Sequence, residues 1–243
     1  MNGHAHPAPE RETGHAHPAV VREKGEDEAV VRLARLDTCA VSDALDKLGL
    51  PGAALGLTAL AAPRRITGRA VTVDLVEQRS EVAGSGRHLG TAAVDASGPG
   101  DVIVVAHQGR THAAGWGGVL STGARCNGVE GVVVDGACRD VDEACELDLP
   151  LYATTGVPIT ARGRVVERAW NVPVDIVGVP VAPGDLVIAD ASGVVFVPSA
   201  HAERVLATAE AIAATERAMV ERVRAGHAMA DVMSADYETM LDR

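Results

Sequence analysis

Aromatic side chains are almost missing from this 243-residue chain, which has one Phe, two Tyr and two Trp. Its core must therefore be assembled from Ala, Val, Leu and Gly, which bury little area each. Association with further copies is an expected source of extra burial. Lysine is nearly as scarce: Lys24 lies at the edge of a polar tail and Lys47 on the solvated face of a predicted helix. Neither fits a buried amine nucleophile. The four cysteines, Cys39, Cys126, Cys138 and Cys145, show neither CxxC nor zinc-ligand spacing, so they are expected as reduced thiols of a cytoplasmic protein. No apolar run approaches the roughly 18 residues that a membrane span requires, and the polar start does not fit a signal peptide. A net charge of -11 and a pI near 5.2 leave no basic surplus for neutralising phosphates, which argues against a nucleic-acid partner.

What is present begins with a repeat. Gly3-His4-Ala5-His6-Pro7-Ala8 returns as Gly14-His15-Ala16-His17-Pro18-Ala19, in a segment without apolar periodicity. Residues 1–25 are therefore expected to form a disordered tail whose HxH pairs hold metals weakly at most. From residue 26 the pattern turns to helical spacing through Val30, Val31, Leu33 and Leu36. A second helix is expected from Val41 to Leu48, ended by Leu50-Pro51-Gly52. Strands are predicted at Ala70–Val76, Val102–Ala106, Gly131–Val134, Leu149–Thr154, Val174–Val177, Leu186–Ala189 and Val194–Val197. Helices are expected at Val119–Cys126 and Val141–Leu147. Ser199 is placed as the N-cap of a long helix, Ala200–Arg224, broken at Gly226. Alternating strands and helices imply one α/β domain over residues 26–225, followed by a tail at 226–243.

Two stretches carry the chemistry. Gly131–Asp140, GVVVDGACRD, is an apolar run that stops at Asp135-Gly136 and delivers an adjacent Arg139-Asp140 pair. A guanidinium can clamp a carboxylate through two parallel hydrogen bonds, and the neighbouring carboxylate is a hard oxygen ligand suited to magnesium. Upstream, Gly115-Trp116-Gly117-Gly118-Val119-Leu120-Ser121-Thr122 is a glycine-rich entry to a helix with free backbone N–H groups. Together they fit a small keto acid bound through a divalent cation. The pair also fits a surface ion pair or a helix cap, with Asp140 in the first turn of the next helix. Trp116 fits either a pocket wall or ordinary packing. His107 and His112 fit ordinary loop or core histidines better than a proton shuttle, and Asp43 and Asp135 fit backbone caps or turns. Gly84–Gly90 lacks the Walker lysine and the dinucleotide fingerprint and is expected to be a mobile loop over the site.

These stretches resemble those of the class II 4-hydroxy-4-methyl-2-oxoglutarate / 4-carboxy-4-hydroxy-2-oxoadipate aldolases and the regulator of ribonuclease activity A group. The resemblance also takes in Thr38-Cys39-Ala40-Val41-Ser42-Asp43-Ala44-Leu45, Ile66-Thr67-Gly68-Arg69-Ala70-Val71-Thr72-Val73 and Gly193-Val194-Val195-Phe196-Val197-Pro198. It implies a swivelling β/β/α-type domain with a long C-terminal helix, assembled as a homotrimer or homohexamer with the site at a subunit interface. It further implies that Arg139 binds the keto acid, that Asp140 ligates magnesium or manganese, and that the backbone around Gly117, Gly118, Val119 and Leu120 meets the substrate carboxylate. A glutamate from the adjacent subunit's C-terminal helix completes the family's site; Glu216 is the best match, ahead of Glu221.

The implied reaction cleaves C3–C4 of a 4-hydroxy-2-oxo acid to pyruvate and a second carbonyl compound. A metal and Arg139 would stabilise the enolate charge, with oxaloacetate decarboxylation as a side activity through the same enolate. The chain departs from the family at Gly118, where the aldolases usually carry an acidic residue twenty-one positions before the arginine. Two rival expectations follow: a non-catalytic protein-binding regulator, or a related enzyme of a specialised pathway with another substrate.

Overall fold

In this computed structural model, residues 27–79 and 86–233 are described. The His-Pro repeat, Lys24, Gly84, Ser85 and residues 234–243 lie outside them. Asp27 starts the first helix, α1 (Glu28–Leu33), by accepting hydrogen bonds from the Ala29 and Val30 N–H groups. Asp37 does the same for Ala40 in α2 (Thr38–Leu48), which Gly49 ends at φ 69°. Two short strands, β1 (Ala53–Ala54) and β2 (Thr58–Ala61), precede the long β3 (Ile66–Glu77).

Three crossovers follow: α3 (Thr91–Ala96) leads to β4 (Asp101–Arg110), α4 (Gly118–Cys126) to β5 (Gly131–Cys138), and α5 (Val141–Glu146) to β6 (Leu151–Gly156). Then come β7 (Val165–Trp170), a hairpin of β8 (Val174–Ile176) and β9 (Val179–Val181), and the pair β10 (Leu186–Asp190) and β11 (Gly193–Val197). A single 3-10 turn, Ser199–His201, opens into α6 (Ala202–Arg224), and the short α7 (Met229–Val232) ends the described chain.

The main sheet runs β1-β11-β10-β3-β4-β5-β6-β2, with β7 also on β3. Neighbours from β3 to β6 are parallel, as their helical crossovers require, and the outer pairings are antiparallel. Period-two alternation divides the core. Ile103, Val105, Val132 and Val134 meet Ala93, Leu120, Ala124 and Ala144 of the crossover helices. Their neighbours Val102, Val104 and Val133 turn to the other face, against Ile176, Val181 and Phe196. A third cluster joins Leu186, Ile188, Val195 and Val197 to Leu33, Leu45, Val205 and Leu206 of the terminal helices. The expected mixed α/β domain with a long C-terminal helix is thus the observed one. No helix among the described residues is long and apolar enough to cross a membrane.

Three local expectations are corrected. The β5 strand does not stop at Asp135-Gly136: it continues to Cys138 through an irregularity in register on both sides. Gly136 sits there at φ 141°, where a Cβ would come within 2.6 Å of His107. Ser199 does not cap α6 with its side chain; its N–H donates to Asp185 Oδ1 at 2.7 Å, and the helix begins after the 3-10 turn. Asp43 lies in the middle of α2 rather than at its end, and burial is the main cause of its raised pKa.

Candidate active site

The carboxyl ends of parallel strands are where loops gather into clefts, and the end of β5 is flanked twice. On one side the 113–118 segment is laced to it: the Gly115 N–H donates to Ala137 O at 2.8 Å and the Arg139 N–H to Trp116 O at 3.0 Å. On the other, the Val157 N–H donates to Cys138 O at 2.8 Å. Between them opens a cleft of about 190 Å³, lined by Trp116, Gly117, Gly118, Val119, Leu120, Arg139, Asp140, His88 and Arg162 among others. A larger cavity of about 540 Å³ surrounds Arg69 and Asp27. There the guanidinium is spent on Asp27, at 2.8 and 3.0 Å, and on the Gly184 carbonyl, at 3.0 Å. The smaller cleft is the one where a guanidinium, a carboxylate and helix amides converge.

Asp140 stands at the N-cap position of α5, yet its side chain caps nothing there. Its backbone is left-handed, at φ 57° and ψ 43°, a conformation that costs a non-glycine residue about 1–2 kcal/mol and that Asp tolerates better than most. The twist turns the carboxylate toward the glycine loop. Oδ2 accepts from the Gly118 N–H at 2.8 Å and from Arg139 Nε at 3.1 Å. Both hydrogen bonds described for this carboxylate fall on Oδ2. The approach needs glycine, since a Cβ on Gly117 would come within 2.9 Å of Asp140 Oδ2.

The Gly118 amide is therefore already engaged by Asp140. The next two N–H groups, of Val119 and Leu120, have no helical carbonyl behind them, because Ser121 is the first to reach back, to Gly117 O at 3.0 Å. They are the amides open to an anion. Val119 is 88% exposed at this rim. Trp116 is both packing and wall: its indole is buried, and its Nε1 donates to Ser121 Oγ at 2.9 Å, while it also lines the cleft. Cys138 is a buried thiol, which burial pushes up to about 11, so it is no nucleophile near neutral pH.

The residues fit a magnesium ion by the chemistry of their donors. Among the described residues no group of three or more His, Cys, Asp or Glu side chains is arranged to hold a metal. Magnesium, however, keeps several waters and takes one or two protein carboxylates. Asp140 offers Oδ1 for that purpose.

A family model described as RraA-like (Aldolase/RraA) matches residues 38–196. The chain belongs to the RraA-like family. Its RraA-like relatives include a Halalkalibacterium halodurans protein named "Putative 4-hydroxy-4-methyl-2-oxoglutarate aldolase", 33% identical over 71% of this chain and 78% of that protein. Protein DlpA of Legionella pneumophila is 30% identical over 69% of this chain, but the match spans only 27% of DlpA's own length. The solved structure of Streptomyces coelicolor RraAS2, described as an unusual member of the RNase ES inhibitor RraA protein family, superposes with a TM-score of 0.71 at 30% identity. That superposition covers 85% of this chain and all of the other (100%).

Within this RraA-like chain the structure brings Arg139, Asp140, Gly117, Gly118, Val119 and Leu120 together and leaves Glu216 apart. Glu216 lies on α6 beside a groove lined by Met219, Val220, Val223 and Met229. Burial, with Asp37 and Asp43 nearby, raises its pKa. Glu221 is exposed and paired with Arg224 at 2.9 Å. His107 is fully buried behind the loop, with Nε2 at 2.8 Å from Ala113 O, and is a core histidine. Asp135 accepts from the Gly109 N–H at 3.1 Å, as its expected backbone role requires.

Arg162 and His88, which line the cleft, and Glu143, which lies beside Gly118, were not among the expected site residues. The first two sit in segments without periodicity, which offered no signal. Glu143 follows Asp140 by one helical turn, a spacing that sets both on one side of α5.

Proposed function

We propose that the cleft is the active site of a divalent-metal-dependent lyase, which cleaves a 4-hydroxy-2-oxo acid to pyruvate and a second carbonyl compound. The observation that carries this reading is the convergence of the Arg139 guanidinium, the Asp140 carboxylate and the open Val119 and Leu120 amides on one small cleft. The amides and Arg139 bind and orient the 2-oxo acid end. Arg162, which also lines the cleft, would meet a second carboxylate on the departing half.

Breaking C3–C4 leaves the electron pair in a pyruvate enolate, whose charge gathers on the former keto oxygen near the guanidinium. Magnesium or manganese held by Asp140 would supply Lewis-acid stabilisation of that charge, worth several kcal/mol. Decarboxylation of oxaloacetate yields the same enolate and is an expected side activity.

The family relationship and the bare apolar groove on α6 support a homotrimer or homohexamer in which Glu216 reaches the cleft of another copy. Cys39, Cys126 and Cys145, exposed and unpaired, fit a reducing, cytoplasmic setting.

The test is pyruvate formation from 4-hydroxy-4-methyl-2-oxoglutarate and from oxaloacetate, with added magnesium and with EDTA. Turnover should vanish with EDTA and in Arg139→Ala, and Asp140→Ala should lose activity together with divalent-metal dependence. Undiminished turnover in Asp140→Ala overturns the assignment. The likeness to RraAS2, described as a member of the RNase ES inhibitor RraA protein family, favours a second reading as a protein-binding regulator. Binding of a purified endoribonuclease, with no pyruvate from either compound, would establish that reading instead.

A further inference from the structure

We propose that Glu143 is the proton carrier of this site, its carboxylate resting in the space that the missing side chain of Gly118 leaves open. The inference rests on the lyase reading above. It starts from an occupied volume. A Cβ built on Gly118 would land on Glu143 Oε2, within 2.8 Å of Glu143 Cδ and 3.2 Å of Asp140 Cβ. The carboxylate of Glu143, an exposed residue that does not itself line the cleft, thus lies against the bare backbone of Gly118 at the first turn of α4, and Gly118 does line it. No salt bridge or side-chain hydrogen bond is described for Glu143 among the described residues. Asp140, by contrast, is committed to Arg139 and to the Gly118 N–H.

The reaction requires such a group. Cleavage removes the proton of the C4 hydroxyl as the C3–C4 bond breaks, the electron pair passing into the enolate. The enolate must then take a proton at C3 to become pyruvate. One carboxylate serves both steps, accepting the first proton through water and returning a proton to C3, with no net change in the protein. Arg139 has no proton to give, and Glu216 of the same chain stands apart from the cleft, so within one chain Glu143 is the carboxylate beside Gly118 for which no partner is described.

The experiment is exchange of the pyruvate methyl protons with deuterated water, followed by NMR with manganese or magnesium present. This reports proton transfer at C3 whatever the natural substrate. Glu143→Gln should slow exchange by about 100-fold or more, with the KM for pyruvate and the manganese Kd, measured by calorimetry, within about threefold of wild type. Gly118→Ala, which pushes the carboxylate aside, should reproduce the loss. Gly118→Asp combined with Glu143→Ala, which returns a carboxylate to the vacated volume, should recover much of it.

Exchange in Glu143→Gln at the wild-type rate overturns the proposal and leaves the lyase reading standing. A fall in manganese affinity that matches the fall in exchange also overturns it, by assigning Glu143 to metal binding. No exchange in the wild-type protein removes the lyase reading and this proposal with it.

Discussion

Arg139 is fixed at both ends. Its N–H is given to the Trp116 carbonyl and its Nε to Asp140 Oδ2, so its remaining guanidinium N–H groups are left for an anion at the cleft. A lysine ammonium at this position would be a point charge on a flexible stem, without the planar fork. Arg139→Lys should lower kcat/KM by about ten- to a hundredfold, the value of one hydrogen bond to a charged group. Steady-state kinetics on oxaloacetate would measure this, and an unchanged kcat/KM would remove Arg139 from substrate binding. At this scale the sequence was most and least informative within a few residues. The Arg139-Asp140 pair was visible because two charges interrupt an apolar run. That Asp140 is not a helix cap depends on a left-handed backbone, which no pattern announces. Gly118 read as a missing acid, because residue order cannot show that the Glu143 carboxylate, arriving from another helix, fills the space its missing side chain leaves.

The β5 strand is the element on which the site depends, and its irregularity is built around His107. The ring presses on Gly115 and Gly136, where added Cβ atoms would lie within 2.9 and 2.6 Å. Its Nε2 faces Ala113 O, and Nδ1 has no partner. Nε2 is therefore assigned the proton, and a second proton on Nδ1 would be buried without an acceptor. Burial is the main reason that the His107 pKa is lowered; Arg110 and His112 push the same way, while the Ala113 bond opposes them. Unfolded chains protonate this histidine near its ordinary value of 6.5, whereas the folded protein resists. Below that pH the unfolded state binds more protons, so stability is present above about 6.5 and is lost as the pH falls. As the pH falls below about 6.5 this histidine should lower the unfolding free energy, a loss absent from His107→Gln in urea titrations. Equal pH dependence in the two proteins would refute it. The central strands were legible because burial on both faces makes them continuous apolar runs. Their extensions were not: β3 begins earlier, at Ile66, through Thr67, Gly68 and Arg69, β4 runs on through His107 to Arg110, and β7 and α3 are too short for their periodicity to stand out from loops.

Among the described residues, one cluster of exposed apolar side chains lies at the C-terminal end of the chain, on α6 and α7. The buried residues of α6, from Ala202 to Ile212, all lie in its first half, while Val220, Val223 and Met229 beyond them are 45%, 38% and 56% exposed. Few aromatics and an apolar helix end are what a chain stabilised by its own copies would present. Glu216 stands on that same stretch and not at the Arg139 cleft of its own chain, so the proposed assembly makes the two residues partners only across subunits. Arg139→Ala and Glu216→Ala should each be inactive alone. When the two variants are co-expressed in equal amounts, a working cleft needs Arg139 from one kind of chain and Glu216 from a neighbour of the other kind. Random assembly in a ring then restores about a quarter of the wild-type sites, whether three subunits or six are present. Pyruvate formation by the mixed protein, with its mass measured by light scattering, checks both statements together. If Glu216→Ala alone retains turnover, or if the mixture stays inactive although it assembles, Glu216 does not complete a neighbour's cleft, and α6 joins the copies without serving their chemistry.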